Sequence, residues 1–242
     1  MYTLTYGLVS HMLKKEDYFV VIVGLDNAGK TTFLEQTKMK FTNGYKMMNP
    51  AKITSTVGMN IGKVEYQNIR LNFWDLGGQE GLHSLWDKYF PDSNALIFVI
   101  DSSDEERFKE AHAAFERVMT NEYVQRMPIL VVCNKSDLEA DIDDGTTSAV
   151  NELRRLFSAD QRHLGEMAVL SVSSLDGLNV DRCIRWLAHC QKRQLTALDS
   201  PERFWSRNPF TITSQAAIFP VVKSFDNVEQ EQRCPRAAVV VL

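Results

Sequence analysis

The chain has 242 residues, 44% of them hydrophobic and 24% charged, with a formal net charge of −4. That length suits one α/β domain of ordinary size plus a tail, and the apolar share excludes wholesale disorder. The acidic balance argues against a broad nucleic-acid surface, so no nucleic-acid partner is expected, and no run of about 18 apolar residues is present to span a bilayer.

Neither a secretory signal nor an internal repeat is visible. The four cysteines (Cys133, Cys183, Cys190 and Cys234) form no C-x-x-C pair, and they read as buried or free thiols of a reducing compartment.

Residues 1–15 place Leu4, Leu8 and Met12 at a spacing of four, flanked by Val9 and Leu13 and closed by Lys14 and Lys15. This predicts an amphipathic helix with cations at its C-terminal end. Such a helix packs on its own domain or makes a reversible membrane or partner contact, and the two do not exclude each other. Residue 2 is Tyr2 rather than glycine, which excludes N-myristoylation if Met1 is the true start.

Tyr18 to Val23 is a continuous apolar run rich in β-branched and aromatic residues. It leads into Gly24, Leu25, Asp26, Asn27, Ala28, Gly29, Lys30 and Thr31, the pattern G-x-x-x-x-G-K-[ST], and residues 32–40 then read as a helix. Strand, glycine loop and helix in this order form a phosphate-binding loop. Glycines at both ends let successive N–H groups point at anionic oxygens, and the helix N-terminus adds its positive dipole end. Lys30 then reaches the β- and γ-phosphates, the Thr31 hydroxyl is placed to ligate Mg²⁺, and Thr32 belongs with the nucleotide-binding residues.

Residues 41–55 carry turn formers and little periodicity, predicting a loop. Thr56 follows, and a threonine in such a loop can ligate Mg²⁺ and sense the γ-phosphate. Two extended runs, residues 60–66 and 69–74, joined at Gln67 and Asn68, predict a hairpin. It ends in Trp74, Asp75, Leu76, Gly77, Gly78, Gln79 and Glu80. An aspartate at a strand end followed by glycines is the second half of a triphosphatase site. Asp75 would bind Mg²⁺ through a water, the Gly78 N–H would meet the γ-phosphate, and Gln79 would orient the attacking water.

Residues 95–100 read as a buried strand, 105–120 as a helix with Phe108, Phe115, Val118 and Met119 on its apolar side, and 128–133 as a further parallel strand. That strand delivers Asn134, Lys135, Ser136 and Asp137, an N-K-x-D motif at a carboxyl end, where ligands bind in open α/β sheets. A buried carboxylate at Asp137 would accept two N–H bonds from a guanine edge, whereas adenine would leave it unpaired. Residues 167–172 read as the last strand, ending at Ser173, Ser174 and Leu175, whose backbone N–H groups could meet the guanine oxygen, and 180–193 as a closing helix with Ile184, Trp186 and Leu187 inward.

From residue 194 onward prolines interrupt the chain and no period is sustained, so an irregular tail is expected over 194–242. The last four residues, Val-Val-Val-Leu, contain no cysteine, which rules out C-a-a-X prenylation.

With these residues in place, the chain resembles the ADP-ribosylation factor branch of the Ras-like small GTPases over residues 1–193. GLDNAGKTT, the hairpin before FWDLGGQE and the run SLWDKYF carry the resemblance. MYTL at the start, TTFLEQ, the lengthened loop before Thr56 and LGGQEGLHSLWDKYF resemble a trans-Golgi member of that family. The resemblance implies a doubly wound, mostly parallel α/β sheet with one antiparallel strand, preceded by the N-terminal helix. It also implies binding of GTP and GDP with Mg²⁺, and GTP hydrolysis that is slow without an activating protein, because no built-in arginine finger is evident. Met59, Trp74 and Tyr89 match a hydrophobic trio that effectors touch. Met59 replaces the usual phenylalanine, and core packing is the alternative role for Trp74 and Tyr89.

The implied protein is a monomeric regulator of vesicle-mediated transport, working with an exchange factor, an activating protein and effectors. It resides in the cytosol and, as a peripheral membrane protein, on the cytoplasmic face of the Golgi. Its N-terminal helix is released toward the membrane in the GTP state and, with an acetylated Met1, meets an integral membrane receptor. Two rivals are a nucleotide-gated scaffold with negligible hydrolysis, which Gln79 argues against, and an ATP-driven enzyme, which Asp137 argues against.

Overall fold

The computed structural model describes residues 15–138, 148–158, 163–198 and 239–241. The expected N-terminal helix therefore lies outside the described residues, as do Cys234 and nearly all of the stretch after residue 198.

A mostly parallel sheet forms the centre. Its strands are β1 (Glu16–Val23), β2 (Met59–Tyr66), β3 (Ile69–Leu76), β4 (Ala95–Asp101), β5 (Ile129–Asn134) and β6 (Met167–Ser171), in the order β2-β3-β1-β4-β5-β6. Among the described strands only β2 and β3 pair antiparallel, Met59 opposite Leu76 through Tyr66 opposite Ile69, and Gln67 adopts φ 54° at the turn between them. The order reverses beside β1, so the loops after β1 and β4 open on a crevice where ligands bind in such sheets.

Each central strand is apolar on both faces because both faces are covered. Along β1, Val21 and Val23 face one core with Phe98, Phe115 and Phe157, while Val20 and Ile22 face a second core with Ile97, Phe33 and Ile184. The strand's period of two sorts them. The first core is closed by α3 (Phe108–Met119) and α4 (Ser148–Ser158), the second by α1 (Lys30–Phe41) and α5 (Val180–Leu198). A short helix α2 (His83–Trp86) lies between β3 and β4. The sheet is thus doubly wound, as the resemblance implied. Each fully buried phenylalanine in it contributes roughly 1.5–3 kcal/mol.

Three details differ from the sequence reading. Helix α4 was not expected there, yet Ala149, Val150, Leu153 and Phe157 bury one side of it. Helix α5 continues beyond residue 193 to Leu198. Within the stretch expected to be irregular, Val239–Val241 forms a further strand, β7, parallel to β6, with Met167 opposite Val239. Successive β-branched residues favour extended backbone, and the outer edge of β6 offers it a row of hydrogen-bonding groups. Cys133, Cys183 and Cys190 are buried thiols, and no described helix is long and apolar enough to cross a membrane.

Candidate nucleotide site

The end of β1 turns sharply at Gly24, whose φ of 137° is open to glycine and whose Cβ would lie 2.1 Å from the Val99 carbonyl oxygen. Gly29 closes the loop with φ 85°, and a Cβ there would meet the Asn134 amide at 2.3 Å. Helix α1 starts immediately afterwards, so its unpaired N–H groups face the loop interior.

Lys30 is 6% exposed, and its Nζ folds back to donate to the carbonyls of Gly24 (3.0 Å) and Leu25 (2.6 Å). Burial pushes its pKa down to about 8, against the attraction of Asp75 and Asp26. Because the ordinary value is 10.5, the unfolded chain holds this proton across the window from about 8 to 10.5 while the folded chain releases it. This group therefore makes the nucleotide-free fold more stable as pH rises through that window. A polyphosphate favours the charged amine, so nucleotide binding near pH 8 is expected to take up a proton and to weaken at higher pH. Calorimetry in two buffers of different ionisation enthalpy measures that uptake, and identical heats in both would contradict it.

Three elements converge beside Lys30. The Thr31 hydroxyl donates to Asp75 Oδ2 at 2.7 Å and lies 2.8 Å from the Thr56 hydroxyl. Since Thr31 has a single proton and spends it on Asp75, Thr56 donates to Thr31. Asp75 is fully buried, its pKa is raised by that burial, and its Oδ1 has no hydrogen-bond partner among the described residues. An orphaned carboxylate oxygen beside two hydroxyls fits Mg²⁺, which takes one or two carboxylates plus substrate phosphates. No three His, Cys, Asp or Glu side chains gather into a separate metal cage among the described residues.

Gly78 packs against the loop so closely that a Cβ would lie 2.4 Å from both the Leu25 carbonyl carbon and Lys30 Nζ, and 2.5 Å from the Asp26 nitrogen. The Gly77 N–H donates to the Gly58 carbonyl at 2.9 Å, joining this turn to the loop that carries Thr56. Two ring nitrogens of α2 hold the same turn, Trp86 Nε1 donating to Gly77 O and His83 Nε2 lying against Gly78 O, each at 3.0 Å. Gln79 follows, exposed at the cleft wall.

On the other side, Asn134 bridges two loops. Its Nδ2 donates to Ala28 O at 2.8 Å, and its Oδ1 accepts from the Ser174 N–H at 3.0 Å. Lys135, in the left-handed region at φ 66°, pairs with Asp101 at 2.6 Å and reaches the cleft. Asp137 is exposed rather than buried as the sequence reading assumed, because it stands on the short turn beyond the end of β5. The Ser173 hydroxyl holds it there, donating to Oδ1 at 2.6 Å.

The cleft has a volume of about 210 Å³. Of the sequence-predicted residues, Asp26, Asn27, Gly29, Lys30, Thr31, Thr32, Thr56, Gly78, Gln79 and Lys135 line it. Gly24, Leu25, Ala28, Asp75, Asn134, Asp137, Ser173 and Ser174 are not on that wall; Asp75 lies behind it through Thr31, and Asn134 braces it through Ala28. The sequence reading missed Pro50, Ile53, Thr54 and Ser55, which also line the cleft from the loop before Thr56. It missed the bracing of the Gly77–Gly78 turn by His83 and Trp86 as well. An aromatic residue four after Gln79 and another three later was the available signal. Trp74 and Tyr89 are half-buried with ring centroids 5.5 Å apart, Phe19 packs on Trp74 at 5.1 Å, and Met59 is exposed at the start of β2.

Fold and site together define a small GTPase of the Ras-like P-loop class. A sequence profile of the ADP-ribosylation factor family matches residues 5–191. The chain is 47% identical over 197 residues to ADP-ribosylation factor-related protein 1 of Bos taurus, covering 81% of this chain and 95% of that protein. It is 46% identical, with the same coverage, to the Homo sapiens protein of that name. To ADP-ribosylation factor-like protein 3 of Saccharomyces cerevisiae it is 36% identical, over 77% of this chain and 92% of the other. Among solved structures it is similar to the Arl6 BBS3 small GTPase from Trypanosoma brucei with bound nucleotide analogue GppNp. The TM-score is 0.58 at 27% identity, over 74% of this chain and 99% of that one. The chain belongs to the ADP-ribosylation factor family. It is a GTP-binding switch that hydrolyses GTP to GDP and phosphate.

Proposed function

We propose that this switch works on the cytoplasmic face of the Golgi as a peripheral regulator of vesicle-mediated transport, and that the residues gathered at the cleft carry its nucleotide cycle. The observation that carries the reading of the site is the meeting of Thr31, Thr56 and Asp75 beside the buried Lys30. In this reading the N–H groups of residues 24–32 cradle the phosphates, and Lys30 counters charge on the β- and γ-phosphates. A Mg²⁺ ion held by Thr31 and Thr56, with Asp75 behind through a water, would supply charge to the phosphate oxygens. Gly78 offers its N–H to the γ-phosphoryl group. Gln79 orients a water, whose oxygen forms the new bond to phosphorus as the bond to GDP breaks.

Asp137 reads the guanine edge, with Ser173 holding the carboxylate, while Asn134 and Lys135 brace and cover the loop. Thr56 couples the γ-phosphate to the loop before β2, and that loop leads to Met59 and the Trp74–Tyr89 pair, the proposed effector surface. Exchange factors, activating proteins and effectors are the partners expected of any small GTPase. The Golgi assignment, the membrane receptor and the monomeric state rest on the resemblance of the chain's N-terminal and loop sequences to a trans-Golgi member.

The test uses the full chain, loaded with GDP or a non-hydrolysable GTP analogue in Mg²⁺ and treated with a protease. Faster cleavage within residues 1–15 in the GTP-like state is expected from a released N-terminal helix. Equal cleavage in both states would retain the GTPase and overturn the helix-release step.

A further inference from the structure

Asp26 puts a carboxylate at an unexpected place for a loop built to hold anions. Its backbone nitrogen and Lys30 Nζ both lie against Gly78, where a Cβ would come within 2.5 Å of the first and 2.4 Å of the second. Asp26 also lines the cleft together with Lys30, Gly78 and Gln79. In the reading above, these are the groups around the γ-phosphoryl position, so Asp26 stands at the one end of the cleft that distinguishes GTP from GDP.

An anion there opposes the extra charge of GTP unless something draws it off, and Arg107 does. It ends the 3₁₀ turn Glu105–Arg107 that leads into α3. Its Nη2 donates to Asp26 Oδ1 at 2.8 Å, and its Nη1 donates to the Asp26 carbonyl at 3.2 Å. The other edge of the guanidinium is fixed by Glu110, with Nε at 2.8 Å and Nη2 at 3.0 Å from its carboxylate. Both side chains are partly exposed, 33% for Arg107 and 44% for Asp26. The hydrogen bond to Arg107 holds the Asp26 carboxyl below its ordinary pKa, so its charge persists at neutral pH.

We propose that Arg107 is a positioning residue that sets the preference for GTP over GDP by pinning and neutralising Asp26 beside the γ-phosphate position. This rests on the nucleotide reading above and deepens it. A planar guanidinium suits the task because it engages a carbonyl and a carboxylate of one residue while Glu110 fixes its other edge. Without it, the carboxylate turns toward the cleft. The resulting like-charge contact affects the triphosphate far more than the diphosphate, which lacks the γ group.

The test compares dissociation constants for GDP and a non-hydrolysable GTP analogue, in Mg²⁺ and low salt, across full-length chains. Arg107→Ala is expected to lower the GTP-to-GDP affinity ratio about tenfold. Adding Asp26→Asn to that variant is expected to restore the ratio, and Arg107→Lys, which keeps the charge, to retain most of it. Asp26→Asn alone is expected to hold the ratio at or above that of the unmodified chain, which keeps the idea testable if Arg107→Ala does not fold. Equal weakening of both nucleotides in Arg107→Ala, or a ratio that stays low after Asp26→Asn, would overturn the proposal. A purely structural brace predicts that first outcome. If the unmodified chain bound no guanine nucleotide, the nucleotide reading itself would fall, and this proposal with it.

Discussion

Asp137→Asn is expected to weaken GDP and GTP binding by about 10²–10⁴-fold. The carboxylate accepts two guanine N–H bonds in the proposed complex, and bonds to a charged group are worth about 1.5–3 kcal/mol each. Their joint loss converts to that range at tenfold per roughly 1.4 kcal/mol. The amide that replaces the carboxylate would aim an N–H at the guanine amino group, so part of the loss is repulsion. Xanthine carries an oxygen where guanine carries that amino group, and the same variant is expected to bind xanthosine diphosphate better than the unmodified chain does. Ser173 supports the carboxylate through one 2.6 Å hydrogen bond, so Ser173→Ala should cost much less. Fluorescent-nucleotide titration checks all three. An undiminished guanine affinity in Asp137→Asn would remove Asp137 from the base site.

The second large effect is expected at Gln79, which lines the cleft immediately after the tightly packed Gly78. Gln79→Leu keeps a similar side-chain volume and removes the amide that orients water. Misplacing an attacking group by a small distance can cost about 10²-fold in rate, and a loss of that order is expected here. Nucleotide affinity should be kept, since no phosphate contact is assigned to this side chain. Single-turnover release of labelled phosphate measures the rate directly. An identical slow rate in both chains would favour the nucleotide-gated scaffold over the hydrolytic switch.

Much of this architecture is written locally in the sequence. The strands from β1 to β6 begin and end within about two residues of the runs that predict them, the central ones because a strand covered on both faces must be apolar at nearly every position, the edge strand β2 because a hairpin joins it to β3. The glycine loop, D-x-x-G-Q and N-K-x-D each lie on a single turn, where spacing alone fixes the local geometry. What escaped notice depends on partners distant in the chain. Arg107 meets Asp26 across 81 positions, and Asn134 meets Ala28 across 106. No local pattern announces such pairs.

Helix α4 was missed for a different reason. Its apolar residues are present at helical spacing, but the segment begins after a sequence rich in acidic and turn-forming residue types and carries charges along its outer face. Asp137 was placed correctly in the chain and wrongly in depth, since the motif specifies a carboxylate at a strand end but not how far beyond the sheet the following turn carries it. The strand Val239–Val241 shows how an open sheet edge can order residues whose neighbours in sequence give no sign of it.

In the proposed complex Asp137, on the turn beyond the cleft wall, selects the guanine base, while the loop around Lys30 holds the phosphates. The most direct test is titration of the purified full chain in Mg²⁺ with GDP and with a non-hydrolysable GTP analogue, each in the presence of excess ATP. Tight binding of both guanine nucleotides, unaffected by ATP, is the predicted result. Displacement by ATP at comparable concentration would contradict the account of Asp137 and of the site built around it.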